Sequence, residues 1–225
     1  METQAEAVRP PPFINAPLIV VVTAAALVAI HALLSFMPYE TQLRAIYDFS
    51  LSPVRFHAEA GSEHAYGDAA EAWMTLLSCA LLHGDWMHVL VNSGMLLAFG
   101  APVARMLGPG WGGAARWMLV LVIAILGGSA LYLLLEPAGP PAIGASGGVS
   151  GLFGAAFIID PRTGRVSPLS RTFLTMTGMF ILMNVILAFL GPMAFGAGIA
   201  WQAHAGGYIA GALLMAVMMS KFRHV

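Results

Sequence analysis

Residues 144–154 read GASGGVSGLFG. All of them are glycine, alanine or serine except Val149, Leu152 and Phe153. At helical spacing the run presents one face of small residues, namely Ser146, Gly147, Ser150, Gly151 and Gly154. A second small-residue face, Ala203, Gly207 and Gly211, lies near the C-terminus at four-residue spacing. Small residues at such positions let helix backbones approach closely inside a membrane. The two runs therefore predict a closely packed helix pair.

The composition indicates a membrane protein. Of the 225 residues, 59% are hydrophobic and 9% are charged, whereas a soluble domain has roughly a quarter charged residues. The net charge of −1 shows no basic excess and gives no indication of a nucleic-acid partner. The single cysteine, Cys79, has no neighbouring cysteine or histidine at metal-ligand spacing, so we expect neither a metal nor another cofactor.

Six apolar runs are long enough to be considered as membrane-spanning helices, which need about 17 to 25 residues. They lie at 17–36, 86–104, 117–135, 143–159, 173–190 and 198–220. The fourth run is short and rich in glycine, and proline or glycine interrupts the chain after each of the first five. The pattern predicts an all-α membrane protein with six transmembrane helices.

The basic residues predict the orientation of these helices. If residues 1–16 form a short cytoplasmic tail, eight of the ten Lys and Arg residues fall on the cytoplasmic side, in agreement with the positive-inside rule. Both termini are then cytoplasmic, with the six-helix domain at 17–220 and a second tail at 221–225. The long outer loop, residues 37–71, carries several acidic residues, and we expect it to be a folded extramembrane element.

Three polar residues stand at one depth in this topology. His88, Ser146 and His204 each lie within about two turns of the outer start of the second, fourth or sixth helix. An unpaired polar group at that depth is costly, and mutual contact relieves the cost. A serine hydroxyl becomes a good nucleophile when a neutral imidazole takes its proton. We predict Ser146 as nucleophile and His204 as base, in a dyad because no carboxylate lies at that depth.

An acyl-transfer site also needs donors for the oxyanion of the tetrahedral intermediate. His88 and Asn92 are spaced i, i+4 on one face of the second helix and are candidates for this role. The backbone N–H of Ser146 is a further candidate. Gly144 and Gly147, which flank the serine, would let the substrate backbone approach closely.

The motifs that carry these residues resemble those of the rhomboid intramembrane proteases, in the same order. They are HGDWMHVLVN at 83–92, GASG at 144–147 and AHAGGYIAG at 203–211. The resemblance covers roughly residues 70–215 and implies a six-transmembrane-helix rhomboid-like bundle with a water-accessible cavity that opens outward. It also implies Ser146 as nucleophile, His204 as base, and His88 and Asn92 as oxyanion stabilisers.

The sequence departs from the family pattern at two places. It lacks the Trp-Arg pair that many relatives carry in the first loop, and Ser150 stands where some relatives have a tyrosine four residues after the nucleophile. Tyr208, one turn after His204, is a candidate to fill that space.

The expected function is that of an intramembrane serine endopeptidase. Its partners would be single-span or other transmembrane protein substrates and membrane lipids, its cut would lie near the outer membrane interface, and its location would be the bacterial inner (plasma) membrane. The segment from Gly191 to Ala197 is expected to connect two helices and to act as a lid. Two alternatives stay open: a proteolytically inactive rhomboid-like binder of membrane proteins, and a small-solute transporter. The oligomeric state is not fixed by the sequence.

Overall fold

A computed structural model describes residues 15–160, 162–195 and 198–221, most of them helical. The helices are α1 (Leu18–Ser35), α2 (Tyr39–Phe49), α3 (Pro53–His57), α4 (Ala69–Ser78), α5 (Trp86–Leu107), α6 (Gly110–Leu135), α7 (Ser146–Phe157), α8 (Arg171–Phe195) and α9 (Trp201–Lys221). A 3₁₀ turn, Cys79–Leu81, continues α4. A two-stranded hairpin of β1 (Ile159–Asp160) and β2 (Arg165–Val166) joins α7 to α8.

Five helices in the described part of the chain are long and apolar enough to cross a membrane, namely α1, α5, α6, α8 and α9. The fourth predicted span, 143–159, is instead the 12-residue helix α7, which is about 18 Å long at 1.5 Å per residue. It begins only at Ser146, because Gly144 adopts a positive φ of 120° that a helix cannot include. The expected count of six spans therefore depends on how this short helix is accommodated.

The start of α6 also differs from the prediction. The third span was expected to begin at 117, but the helix starts at Gly110. The intervening residues include three glycines, which have low helix propensity. Glycine is needed at one of these positions, because a Cβ on Gly113 would lie 1.7 Å from the Gly108 carbonyl oxygen. The first turns of α6 therefore pack directly on the sharp connection from α5.

Helix α7 lies in the centre of the bundle, packed against α5, α6 and α9. Eight of its residues are buried, and the α7–α9 contact is made backbone to backbone. A Cβ on Gly207 would lie 2.0 Å from the Gly147 carbonyl oxygen, and one on Gly211 would lie 2.3 Å from that of Gly151. The predicted close pairing of the two small-residue faces is confirmed.

Helix α8 stands apart from this centre. None of residues 171–190 is buried, although α8 is one of the five long apolar helices. The connection between the last two helices was expected to begin at Gly191. This prediction is wrong, because the backbone is helical as far as Phe195. Residues 196 and 197 of that segment lie outside the described part of the chain.

Residues 37–71 form a folded element, as expected. They contain α2, α3 and the start of α4. The guanidinium carbon of Arg55 lies 3.9 Å from the ring centroid of Tyr47 and 4.0 Å from that of Tyr66, so the cation is held between two aromatic rings. Leu51 forms an antiparallel bridge with Ala142, and this contact attaches the element to the loop that leads into α7.

Candidate active site

The start of α7 is held by the segment that precedes α5. The Gly144 N–H donates to the Cys79 carbonyl at 2.9 Å, and the Ala145 N–H donates to His83 Nε2 at 3.4 Å. Gly144 is required here for two reasons: its φ is +120°, and a Cβ would lie 2.7 Å from His88 Nε2. The backbone therefore enters the helix at Ser146 in one fixed conformation.

His83 has a structural role at the start of α7. Burial, together with the nearby His88 and His31, lowers the pKa of His83 from its ordinary value of 6.5 to about 4. A neutral imidazole has one nitrogen free to accept a hydrogen bond, and in His83 that nitrogen accepts the Ala145 N–H. His83 thus supports the residue that precedes Ser146.

The structure brings the two predicted catalytic side chains together. Ser146 is the first residue of α7 and His204 belongs to the first turn of α9, and the distance from Ser146 Oγ to His204 Nε2 is 2.8 Å. Both residues are partly buried. The glycine contacts between α7 and α9 bring the two helix starts this close, since bulkier residues would hold the backbones apart.

His88 and Asn92 lie beside the same segment. A Cβ on Gly144 would be 2.7 Å from His88 Nε2 and 3.9 Å from Asn92 Nδ2, so both side chains reach the backbone two residues before Ser146. Asp85 caps α5, because its carboxylate accepts the His88 N–H at 2.8 Å. The buried Asn92 amide donates to the His88 carbonyl at 3.1 Å, and the second N–H of its NH₂ group remains for another acceptor.

The N-terminus of α7 adds backbone donors to this region. The first N–H groups of a helix have no intrahelical acceptor, and in α7 these groups belong to Ser146, Gly147 and Gly148, since Val149 makes the bond to the Ala145 carbonyl at 3.0 Å. A cavity of about 30 Å³ opens beside them, enough for one water molecule. Its lining includes Ser129, Gly128, Ala203, Ser146 and Gly147.

One contact of His204 was missed by the sequence reasoning. The distance from His204 Nδ1 to Asn184 Oδ1, on α8, is 2.7 Å. The signal was present, because Asn184 is the only polar side chain in the run 178–190, and polar residues inside apolar helices are candidates for function.

Tyr208, which lies one turn after His204 on α9, packs against α8. Its ring stacks on that of Phe180, with centroids 4.5 Å apart and an interplanar angle of 24°. Its hydroxyl is 2.5 Å from Thr177 Oγ1. Because the Thr177 hydroxyl donates to the Phe173 carbonyl at 2.7 Å, the Tyr208 hydroxyl is the donor to Thr177. Tyr208 thereby connects α9 to α8.

No group of three or more His, Cys, Asp or Glu side chains within the described residues is arranged to hold a metal ion. The polar atoms near Ser146 come from imidazole, amide, hydroxyl and backbone groups. Such a set provides a base and hydrogen-bond donors, which are the groups required for acyl transfer.

Comparison with known proteins agrees with the motif resemblance. The model of the rhomboid domain matches residues 70–221. The chain is 32% identical over 131 residues to YdcA, a rhomboid protein of Bacillus subtilis, and the match covers 57% of this chain and 63% of YdcA. It is 30% identical over 154 residues to the rhomboid protease GlpG of Haemophilus influenzae, a match covering 68% of this chain and 73% of GlpG.

A plant relative matches as well. The RHOMBOID-like protein 5 of Arabidopsis thaliana is 29% identical over 155 residues, which make up 68% of this chain and 46% of that protein. The matched part of the chain thus spans less than two thirds of the length of YdcA and less than half of that of the plant protein. The domain match, by contrast, runs from the second residue of α4 to the end of α9 and includes every residue of the candidate site. The chain therefore belongs to the rhomboid family.

Proposed function

We propose that this chain is an intramembrane serine endopeptidase that uses Ser146 and His204 to cleave transmembrane protein substrates. The observation that carries the proposal is the 2.8 Å contact between Ser146 Oγ and His204 Nε2 at the starts of two closely packed helices. A hydroxyl within hydrogen-bond distance of an imidazole nitrogen is the arrangement that activates a serine nucleophile. The family of the chain and the name of its relative GlpG support the same activity.

The reaction would follow the acyl-transfer sequence. His204 Nε2 takes the proton of Ser146 as Oγ attacks the carbonyl carbon of the scissile peptide, and the carbonyl oxygen becomes an oxyanion. The protonated His204 gives its proton to the amine, which leaves, and an ester remains on Ser146. Water, deprotonated by His204, then attacks the ester and releases the second product with Ser146 restored.

Five groups are proposed to stabilise the oxyanion or to admit the substrate. The Ser146 N–H lies at the N-terminus of α7, where the helix dipole favours negative charge. His88 and Asn92 flank the Gly144 backbone and supply further N–H donors. Gly144 and Gly147 leave no side chain between these donors and an approaching substrate backbone. The cavity of about 30 Å³ beside Ser146 favours a small side chain before the scissile bond.

The proposed membrane arrangement follows from the distribution of the basic residues and from the position of Ser146 at the start of α7. Both termini would be cytoplasmic, and α7 would complete a six-helix bundle with its N-terminal end at the outer side of the bacterial plasma membrane. A hydrolytic site needs water, so the cut would fall just below the outer interface. A transmembrane helix satisfies its carbonyl groups internally, so a substrate must unwind locally, and glycine or proline near the cut should favour cleavage.

The direct test is proteolysis of a single-span substrate by purified variants in detergent or liposomes. Ser146→Ala and His204→Ala should abolish cleavage and remain folded, because each removes one partner of the proposed dyad. Ser150→Ala is the matched control, since it removes a buried hydroxyl one turn further along the same helix, and it should retain activity. Cleavage by Ser146→Ala at a rate comparable to that of the unmodified protein would exclude the proposal.

The position of the cut is tested by mass spectrometry of the products. With a tagged single-span substrate, we expect cleavage in the outer part of the substrate helix. A cleavage site at the helix midpoint or on the cytoplasmic side would contradict the proposed depth of Ser146.

A further inference from the structure

We propose that Asn184 is a positioning residue for His204: its side-chain oxygen accepts the Nδ1 proton and so keeps Nε2 unprotonated and directed at Ser146. The inference rests on the proposed function, because it concerns how the proposed base is held. It replaces the sequence expectation of a dyad by a three-residue chain, Ser146–His204–Asn184, drawn from three different helices.

The orientation of the Asn184 amide is fixed by its second contact. Asn184 Nδ2 donates to the Phe180 carbonyl at 2.8 Å. If the amide were rotated by 180°, its oxygen would face that carbonyl oxygen, and two acceptors would oppose each other. The oxygen of Asn184 therefore faces His204, at 2.7 Å from Nδ1.

The tautomer of His204 follows from this orientation. An amide oxygen only accepts hydrogen bonds, so the Nδ1 atom that contacts it must carry a proton. A neutral imidazole has only one N–H, and Nε2 is therefore the unprotonated nitrogen. Nε2 is the atom that lies 2.8 Å from Ser146 Oγ, so it is ready to take the serine proton.

The packing of α8 on α9 explains why these two residues meet. Phe180 stacks on Tyr208 with a centroid distance of 4.5 Å. Asn184 lies one turn after Phe180 on α8, and His204 lies one turn before Tyr208 on α9. The stacked pair therefore sets the register that places the amide opposite the imidazole.

Asn184 also links α8 to α9, so its effect on helix packing must be distinguished from its effect on the orientation of His204. The chain offers a matched control in Thr177, which accepts the Tyr208 hydroxyl at 2.5 Å and joins the same two helices. Thr177→Val removes an interhelical hydrogen bond without touching His204. If Asn184 merely held the helices together, the two positions would respond alike.

The kinetic test compares Asn184→Leu, Asn184→Asp and Thr177→Val for cleavage of a transmembrane substrate. Asn184→Leu keeps the approximate shape and removes the acceptor. We expect kcat to fall about 10- to 100-fold, by analogy with hydrogen-bond partners that orient metal-ligating histidines, with KM little changed. Asn184→Asp retains an acceptor and should recover most of kcat. Thr177→Val should keep kcat near that of the unmodified protein.

Two kinetic results would overturn the inference. One is an unchanged kcat in Asn184→Leu while Ser146→Ala is inactive, which would leave the proposed function standing and remove Asn184 from it. The other is an equal loss in Asn184→Leu and Thr177→Val, which would make both residues structural.

A spectroscopic measurement reads the tautomer without any turnover. In protein labelled with ¹⁵N-histidine, at about pH 8 where an ordinary imidazole is neutral, the His204 signals identified by loss in His204→Gln should show the proton on Nδ1. The same result is expected in Ser146→Ala, so this measurement stands even if the proposed proteolysis fails. A proton on Nε2, or no change on replacing Asn184 by leucine, would refute the inference.

Discussion

Helix α9, which carries His204, packs against α7 and α8 through two different kinds of contact. On one side α7 and α9 meet through glycines, with backbone atoms in direct contact and most of α7 buried. On the other side α8 has no buried residue from 171 to 190, and it reaches α9 through an aromatic stack and two polar side-chain pairs. The serine and histidine are therefore held by backbone packing, whereas the asparagine is held by a few side chains.

This difference has a physical consequence. Backbone contacts cannot be relieved by a rotamer change, so the Ser146–His204 distance should tolerate little alteration of the α7–α9 surface. Hydrogen bonds between membrane helices contribute about 0.6 kcal/mol on average, so single changes on α8 should cost little stability. Substitutions of α7 and α9 should accordingly affect folding, and substitutions of α8 should affect it much less.

The largest expected effect is on the glycine contact. Gly207→Leu should prevent the bundle from assembling, because even its Cβ would lie 2.0 Å from the Gly147 carbonyl oxygen. Gly178→Leu on α8 is the matched control, since nothing lies within 4 Å of its Cβ position. Size-exclusion chromatography in detergent should give a monodisperse peak for the control only. A folded and active Gly207→Leu protein would show that the α7–α9 contact is not close.

The next effect concerns turnover. Asn92→Ala should lower kcat by roughly 10²- to 10³-fold, the cost of losing one oxyanion donor, with a smaller change in KM, and His88→Ala should act in the same direction. Ser93→Ala, which removes a neighbouring buried hydroxyl, should leave kcat unchanged. A large rise in KM with kcat preserved in Asn92→Ala would instead make Asn92 a binding or packing residue.

A smaller effect on stability separates the two regions directly. Leu152 on α7 is 0% exposed and Leu182 on α8 is 59% exposed. Leu152→Ala should lower the free energy of unfolding in detergent by about 2 to 5 kcal/mol, since it leaves a cavity in the core. Leu182→Ala should change it far less. Equal losses from the two substitutions would contradict the contrast between α7 and α8.

Much of the fold could be predicted because the underlying signals are local. Apolar runs identified five helices near their observed positions, and small-residue spacing predicted the α7–α9 contact. The early start of α6 was missed because its first turns contain three glycines, which have low helix propensity. The fourth run was expected to be short, but the start of α7 was placed three residues too early because it depends on the positive φ of Gly144, which apolar content does not reveal.

The site shows the same division. Ser146, His204, His88 and Asn92 could be named as candidates because each lies near the start of a helix within a recognisable motif. Asn184 was not found, because its distance from His204 depends on the register of α8 against α9. That register is set by the stacking of Phe180 on Tyr208, a contact between residues 28 positions apart. The isolated polar side chain in an apolar run marks Asn184 as a candidate, but no local pattern predicts its contact with His204.

The most direct test of the central claim is the identity of the residue that reacts with a fluorophosphonate probe, a reagent that labels activated serines. Purified protein should be labelled, and peptide mass spectrometry should locate the adduct on Ser146. Labelling should be lost in His204→Ala, because Ser146 then has no base within 2.8 Å. An adduct on a different residue, or undiminished labelling of Ser146 without His204, would contradict the proposed Ser146–His204 pair.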